Sequence, residues 1–167
     1  MRNPDRFARV ALVVLVALLV AACSDFPEDY DGAIKPLDAD GFRALEASGR
    51  EPIILDVRTG SEFRETARAP GAINQTWSWD GEQDDVNDAF LAGVTASYAP
   101  DQTLLLLCSE GMRASQAAWT LQHQFGFSDV YVYEGGYQGN DMAGYPSGPG
   151  WIEDGLPGAE PERYDFY

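Results

Sequence analysis

The sequence predicts an α/β fold in which a central parallel sheet carries helices on both faces. Three short apolar runs rich in Val, Ile and Leu are typical of buried strands: residues 52–58, 103–107 and 130–133. Helical patterns lie between these runs, and strands that alternate with helices form parallel sheets. The length of 167 residues fits one domain with short ends, and 45% hydrophobic residues supply an ample core.

The elements follow in order from Pro36, where we expect the fold to begin. The stretch after it predicts a short helix, because Phe42 and Leu45 lie at helical spacing and Gly49 follows as a stop. Further helices are predicted for residues 60–66, 86–96 and 112–125. Ligands of parallel sheets bind beyond the carboxyl ends of the strands, so the residues that follow each strand are the candidates for a site.

The first 22 residues have the pattern of an export signal. Three arginines precede an apolar run at residues 10–22, which is shorter than the about 20 residues that a membrane span needs. The run ends in Leu-Val-Ala-Ala-Cys, which resembles the bacterial lipobox and implies cleavage before Cys23 and lipidation of its thiol. An uncleaved anchor is the alternative. We expect a lipoprotein of the bacterial cell envelope, attached to the membrane through Cys23 and facing the periplasm.

The composition divides the chain into four segments. These are a lipoprotein signal peptide at 1–22, a tether at 23–35, a domain at 36–147 and a C-terminal surface extension at 148–167. The tether is acidic and rich in turn-forming residues, and the extension is dense in Gly and Pro. Neither segment has the periodicity of a regular element.

Charge and residue counts exclude several classes of function. With 11 Lys+Arg against 27 Asp+Glu, the net charge of -16 repels polyanions, so we expect no nucleic-acid partner. A single histidine, His123, and two cysteines cannot build a usual metal site, so no metal is expected. The sequence contains no Walker loop and no dinucleotide fingerprint, and we expect no cofactor.

Cys108 stands where a predicted strand ends and a predicted helix begins. If Cys23 is lipidated, Cys108 is the one free thiol, although a Cys23–Cys108 disulfide stays open if the lipobox interpretation is wrong. Backbone N–H groups and the helix dipole at such a junction favour an anion, which makes a thiolate there a nucleophile. Gly111 permits the tight turn and Arg113 adds a cation. The alternative is a cysteine that caps an apolar strand as a small hydrophobic residue.

Four motifs resemble the rhodanese-domain sulfurtransferases. The loop Cys108, Ser109, Glu110, Gly111, Met112, Arg113 is similar to the family's Cys-x-x-Gly-x-Arg. The other three motifs are Asp-Val-Arg with a following Glu-Phe at 56–63, Ala-Arg-Ala-Pro-Gly-Ala-Ile-Asn at 67–74, and the Gly-Gly and Gly-x-Pro segments within 133–146. The second of these has Arg68 where the family usually has His. The match runs in order over residues 37–146.

This resemblance implies a sulfurtransferase that works through a persulfide on Cys108. Loop N–H groups hold the persulfide charge, Asp56 and Arg58 brace the loop, and Arg113 pairs with Asp56 or Glu62. The expected partners are a small sulfur donor or a protein persulfide, and a thiol acceptor. No cofactor is implied.

Arg68 and two tryptophans have open roles. Arg68 is either a cleft cation or a surface residue. Trp77 and Trp79 either alternate along a strand or form an aromatic wall beside the cleft.

Two alternatives to the sulfurtransferase remain. Cysteine phosphatases use Cys-x5-Arg, which would require arginine at 114, where the chain has alanine, so phosphoryl transfer is the weaker interpretation. The other alternative is a rhodanese-fold binding module in the envelope.

Glu110 in the loop predicts that thiosulfate, a small anion, is a poor sulfur donor, because the two negative charges repel each other.

Overall fold

A computed structural model of the chain describes residues 34–78, 84–141 and 147–161. Within these ranges the elements in chain order are β1 Lys35–Leu37, α1 Ala39–Ala47, β2 Ile53–Asp56, α2 Gly60–Glu65, β3 Ile73–Asn74, α3 Asp84–Ser97, β4 Leu104–Leu107, α4 Met112–Phe125 and β5 Val130–Tyr133. The signal peptide, Cys23, Trp79 and the Gly-x-Pro segment predicted above lie outside the described residues.

The five strands form one sheet in the order β1-β5-β4-β2-β3, and every neighbouring pair is parallel. This confirms the predicted α/β class. The strand β4 lies at the centre, and Asp56 at the end of β2 is paired with Leu107 at the end of β4. The loops that follow β2 and β4 therefore leave the same edge of the sheet, where ligands of parallel sheets bind.

The four leucines of β4 are all 0% exposed because the sheet is covered on both faces. Successive side chains of a strand point to opposite faces. Leu105 and Leu107 pack in a cluster with Phe42 of α1 and with Trp151. Leu104 and Leu106 therefore point to the opposite face. Burial of each leucine contributes about 1.5–3 kcal/mol, so β4 is a firmly held support for the loop that follows it.

Capping residues fix where the helices begin and end. The carboxylate of Asp38 accepts a hydrogen bond from Gly41 N at 2.8 Å and starts α1. Thr59 and Glu62 form a reciprocal capping box at the start of α2. Gly126 has φ 72° and ends α4 in the left-handed conformation, which glycine adopts without strain.

The structure corrects three expectations about the elements. The edge strands β1 and β3 were not predicted. Trp77 is not in a strand, because β3 ends at Asn74 and the chain beyond it is irregular. The described part of the predicted surface extension reaches the interior, since Trp151 is 1% and Leu156 is 7% exposed in the main cluster.

Among the helices in the described ranges, none has both the length and the apolar character needed to cross a membrane.

Candidate active site

The thiol of Cys108 lies directly after the central strand and is 2% exposed. The chain turns over residues 108–111, and α4 begins at Met112. Gly111 has φ 93°, a left-handed conformation that glycine adopts at little cost, and its N–H donates to Cys108 Sγ at 3.1 Å. The sulfur is thus hydrogen-bonded at the N-terminus of a 14-residue helix, where the dipole favours an anion.

A turn at residues 137–140 fixes the backbone of this loop from the other side. Tyr137 N donates to Cys108 O at 2.8 Å, and Gln138 N donates to Ser109 O at 2.9 Å. Asn140 Nδ2 donates to the carbonyl of Glu110 at 3.1 Å. In a trans peptide the N–H points opposite to the C=O, so fixing three successive carbonyls orients the N–H groups of the next three residues together.

Gly136 permits this close approach between the turn and the loop. It has φ 63°, and a Cβ atom at this position would lie 2.5 Å from Glu110 N and 2.6 Å from Ser109 O. Real Cβ atoms do not approach backbone atoms that closely. The Gly-Gly motif of the sequence is therefore a contact requirement of the loop.

Glu62 and Arg113 form a two-point ion pair at the far end of the loop. Arg113 Nη1 lies 2.8 Å from Glu62 Oε2, and Nη2 lies 2.7 Å from Oε1. Ser109 Oγ joins the pair, donating to Glu62 Oε1 at 3.0 Å and accepting from Arg113 Nη2 at 3.2 Å. The hydrogen bonds from Arg113 hold the pKa of Glu62 well below its usual range, and Glu62 in turn raises the pKa of Arg113.

The start of α2 holds Glu62 in place for this pair. Glu62 Oε2 accepts hydrogen bonds from Thr59 N at 2.9 Å and from Thr59 Oγ1 at 2.8 Å. Of the two partners expected for Arg113, Asp56 and Glu62, the structure places it on Glu62. The same carboxylate therefore caps a helix and binds the closing arginine of the loop.

Asp56 and Arg58 form a second ion pair that is almost fully buried, with side chains 0% and 1% exposed. Arg58 Nη2 lies 2.7 Å from Asp56 Oδ2, and Arg58 also donates to Thr66 Oγ1 at 2.8 Å. The guanidinium lies over the ring of Tyr137, with Cζ 5.0 Å from the ring centroid. This pair therefore supports the loop indirectly, through the residue whose N–H binds Cys108 O.

A cavity of about 410 Å³ opens at the sulfur. Its lining consists of Glu62, Cys108, Ser109, Glu110, Met112, Arg113 and Gln138. Glu110 is exposed at this lining, and among the described residues that line the cavity Arg113 is the one cationic side chain. Five of the six predicted loop residues line the cavity, and the sixth, Gly111, binds the sulfur through its backbone.

Three other predicted or considered residues lie away from the sulfur. Arg68 covers the Phe63 ring at 4.7 Å and donates to Phe63 O at 3.3 Å, so it does not line the cavity. Trp77 is 7% exposed and packs edge-on against Phe90 at 5.2 Å, which excludes the aromatic wall for this residue. His123 stacks on Trp119 along α4.

The sequence assigned no supporting role to six residues that hold the loop from outside it. These residues are Thr59, Ser115, Gly136, Tyr137, Gln138 and Asn140. Ser115 Oγ donates to Gly111 O at 2.9 Å and is fully buried. The Thr-x-x-Glu capping box at 59–62 was a readable signal, whereas nothing in the local sequence marks Asn140 as a partner of Glu110.

Within the described ranges no group of three His, Cys, Asp or Glu side chains could hold a metal ion.

The fold and the site together define an α/β domain with a thiol held by backbone N–H groups at a helix N-terminus. A family model described as "Rhodanese-like domain" matches residues 39–141, which is more than half of the chain. The chain therefore belongs to the rhodanese-like domain family. Comparison with curated proteins gave no match.

Three solved structures with this fold are similar to the chain. Rv0390 from M. tuberculosis shares 25% identity with a TM-score of 0.55, over 75% of this chain and 95% of that one. The polysulfide-sulfur transferase homodimer from Wolinella succinogenes shares 18% with a TM-score of 0.53, over 93% of each chain. Thiosulfate sulfurtransferase from Pseudomonas aeruginosa shares 22% with a TM-score of 0.51, over 77% of this chain and only 21% of that one.

Proposed function

We propose that the protein is a sulfurtransferase that carries a sulfane sulfur on Cys108. One observation supports this most directly: the Gly111 N–H donates to Cys108 Sγ at 3.1 Å, at the start of α4. A sulfur anion at this position gains hydrogen bonds and a favourable dipole without any rearrangement of the chain. The proposed cycle needs no metal and no cofactor.

In the first step the Cys108 thiolate attacks the outer sulfur of a donor R–S–SH. A bond forms between Sγ and that sulfur while the donor's S–S bond breaks, and its electron pair leaves on the carrier sulfur. The proton of the donor persulfide moves to the carrier, so the products are Cys108–S–S⁻ and R–SH. The loop N–H groups, already oriented by the turn at 137–140, hold the charge of the persulfide.

In the second step an acceptor thiol takes the sulfur. The acceptor sulfur attacks the outer sulfur of Cys108–S–S⁻, the acceptor proton passes to the transferred sulfur, and Sγ leaves as the thiolate. The enzyme returns to its starting state, and the acceptor becomes R'–S–SH. Both steps need access to Sγ through the cavity of about 410 Å³.

The loop spacing also favours sulfur over phosphate. Arg113 follows Cys108 at the fifth position, and its guanidinium is bound at two points by Glu62. A transferred phosphoryl group would have to share this guanidinium with Glu62. Two structural neighbours are named as sulfur transferases, and at 18% and 22% identity they show the fold alone.

Mass spectrometry of the intact protein tests the proposal. After incubation with a panel of sulfur donors, the wild-type protein should gain one sulfur atom, and Cys108→Ser should gain none. Glu46→Gln is a useful control, because it keeps the thiol and changes an exposed side chain of α1 that does not line the cavity. A wild-type thiol that gains no sulfur from any donor would refute the enzymatic role.

A binding module is the second candidate, and the low exposure of Cys108 favours it. At 2% exposure the thiol is nearly closed to solvent, as expected of a loop kept for its shape. An inert thiol together with a stable partner that copurifies with Cys108→Ser would support this candidate. Sulfur loading of the wild-type thiol would exclude it as the sole function.

We also propose that the domain is tethered to a membrane of the bacterial envelope by a lipid on Cys23, on the periplasmic side. The support is the lipobox-like sequence that ends at Cys23. Metabolic labelling with an alkyne fatty acid should mark the wild-type chain and spare Cys23→Ala. Equal labelling of both would refute the anchor.

A further inference from the structure

From the charges around the sulfur, we infer that the cavity selects donor persulfides whose carrier bears a positive group beside the sulfur, and that Glu110 is the residue that determines this selectivity. The inference rests on the proposed sulfur transfer and names the substrate class of that same site. It excludes small oxyanion donors, of which thiosulfate is the simplest.

The cation of the loop is already neutralised by a carboxylate. Arg113 is the one cationic side chain among the described residues that line the cavity, and Glu62 binds it at 2.7 and 2.8 Å. Ser109 Oγ completes the pair from the loop side. An incoming anion therefore meets a guanidinium whose charge Glu62 already balances.

Glu110 adds a negative charge to the same lining, and no described residue forms an ion pair with it. Its side chain is exposed, and its backbone carbonyl is fixed by Asn140, so the residue has a set position at the mouth of the cavity. With Glu62 and Arg113 cancelling, the lining carries one net negative charge, and the nucleophilic thiolate adds another. A dianion such as thiosulfate meets repulsion from both, whereas a carrier with an ammonium group is attracted.

A matched pair of donors isolates the effect of carrier charge. The persulfides of cysteamine and of 3-mercaptopropionate have the same reactive end and nearly the same size, but one carries an ammonium group and the other a carboxylate. The rate of sulfur gain on Cys108 is measured for each donor in a single turnover, by intact mass, with thiosulfate as a third donor. The ratio of the cysteamine rate to the mercaptopropionate rate reports selectivity, and its change between variants is independent of the different leaving groups.

We expect Glu110→Gln to lower this ratio about tenfold, equivalent to about 1.4 kcal/mol, and Glu110→Lys to lower it further. Glu46→Gln removes the same charge from an exposed position on α1 that does not line the cavity, and it should leave the ratio unchanged. Raising the salt to about 1 M shortens the Debye length to about 3 Å and should lower the ratio in the wild type. This last measurement needs no variant.

The outcomes separate the two proposals. If the ratio is the same in Glu110→Gln and Glu46→Gln, or if thiosulfate loads the wild type at least as fast as cysteamine persulfide, the selectivity inference is overturned while sulfur transfer stands. If no donor loads the wild-type thiol, the proposed function fails and the inference fails with it.

Discussion

Replacing Glu62 by glutamine tests how much the Glu62–Arg113 pair contributes to the fold. The substitution keeps the shape of the side chain and removes its charge. It weakens both hydrogen bonds from Arg113 and both hydrogen bonds from Thr59, because a neutral amide accepts more weakly than a carboxylate and offers one oxygen.

The magnitude follows from burial and from the number of bonds. Breaking a fully buried ion pair costs about 3–5 kcal/mol, but an exposed pair contributes only about 0–1 kcal/mol. Here the side chains are 18% exposed for Arg113 and 35% exposed for Glu62, so solvent screens the pair in part. We expect a loss of about 1–2.5 kcal/mol, between the two limits. For a chain of this size that lowers the melting temperature by about 2–4 °C for each kcal/mol.

The loss should depend on pH in a defined direction. The pKa of Glu62 is lowered in the folded state, so the carboxylate stabilises the fold fully above its unfolded pKa of about 4.3. That contribution disappears as the pH falls below this value towards the lowered folded pKa. The difference in unfolding free energy between wild type and Glu62→Gln should therefore be constant near neutral pH and shrink in acid.

Urea denaturation followed by tryptophan fluorescence, between about pH 7 and pH 3, measures this difference. Glu65→Gln is the matched control, because Glu65 is exposed on the same helix, and its effect should stay within about 0.5 kcal/mol. A Glu62→Gln effect no larger than the Glu65→Gln effect, or one that does not change with pH, would refute the reasoning.

Three further substitutions test the supports of the loop. Gly136→Ala should lower the free energy of unfolding, measured in urea, by about 3–5 kcal/mol, because of the backbone clash and the positive φ. The control is Gly49→Ala: Gly49 has φ 79° and open space around it, so the loss should be about 1–2 kcal/mol. Equal losses would contradict the close contact at Gly136. Arg58→Met should lower the free energy of unfolding by about 3–5 kcal/mol, because it leaves Asp56 charged and buried. A loss below about 1 kcal/mol would show that water reaches the ion pair. Asn140→Ala removes one side-chain hydrogen bond to the loop, which contributes about 1 kcal/mol. Because this bond helps to orient the N–H groups that hold the Cys108 thiolate, its loss should slow alkylation of Cys108 by iodoacetamide about fivefold. An unchanged rate would show that the bond does not orient the loop.

The central part of the fold was predictable because its signals are local. The strands β2, β4 and β5 are continuous apolar runs, as expected of strands buried on both faces, and the helices between them have clear periodicity. The edge strands β1 and β3 have three and two residues, which is too short for a pattern. These strands exist because they pair with neighbouring strands, and such pairing cannot be predicted from the local sequence.

The site divides in the same way. The loop 108–113 is contiguous, so its strand-to-helix position and the need for Gly111 could be predicted before the structure. Asn140 binds a carbonyl thirty residues away, and Gly136 matters only because the loop passes against it. The orientation of the Trp77 ring could not be predicted from the sequence either, because it depends on packing against Phe90 of α3.

The fully buried strand β4 has a further consequence for how sulfur would move. Cys108 is joined to the most enclosed segment of the sheet, and its own carbonyl is tied to Tyr137, so the thiol cannot swing outward as a carrier arm does. In the proposed transfer the sulfur is therefore received and passed on at one fixed position, and donor and acceptor must bind there one after the other. The first carrier has to leave before the second can enter, which requires ping-pong kinetics with parallel lines in a double-reciprocal plot.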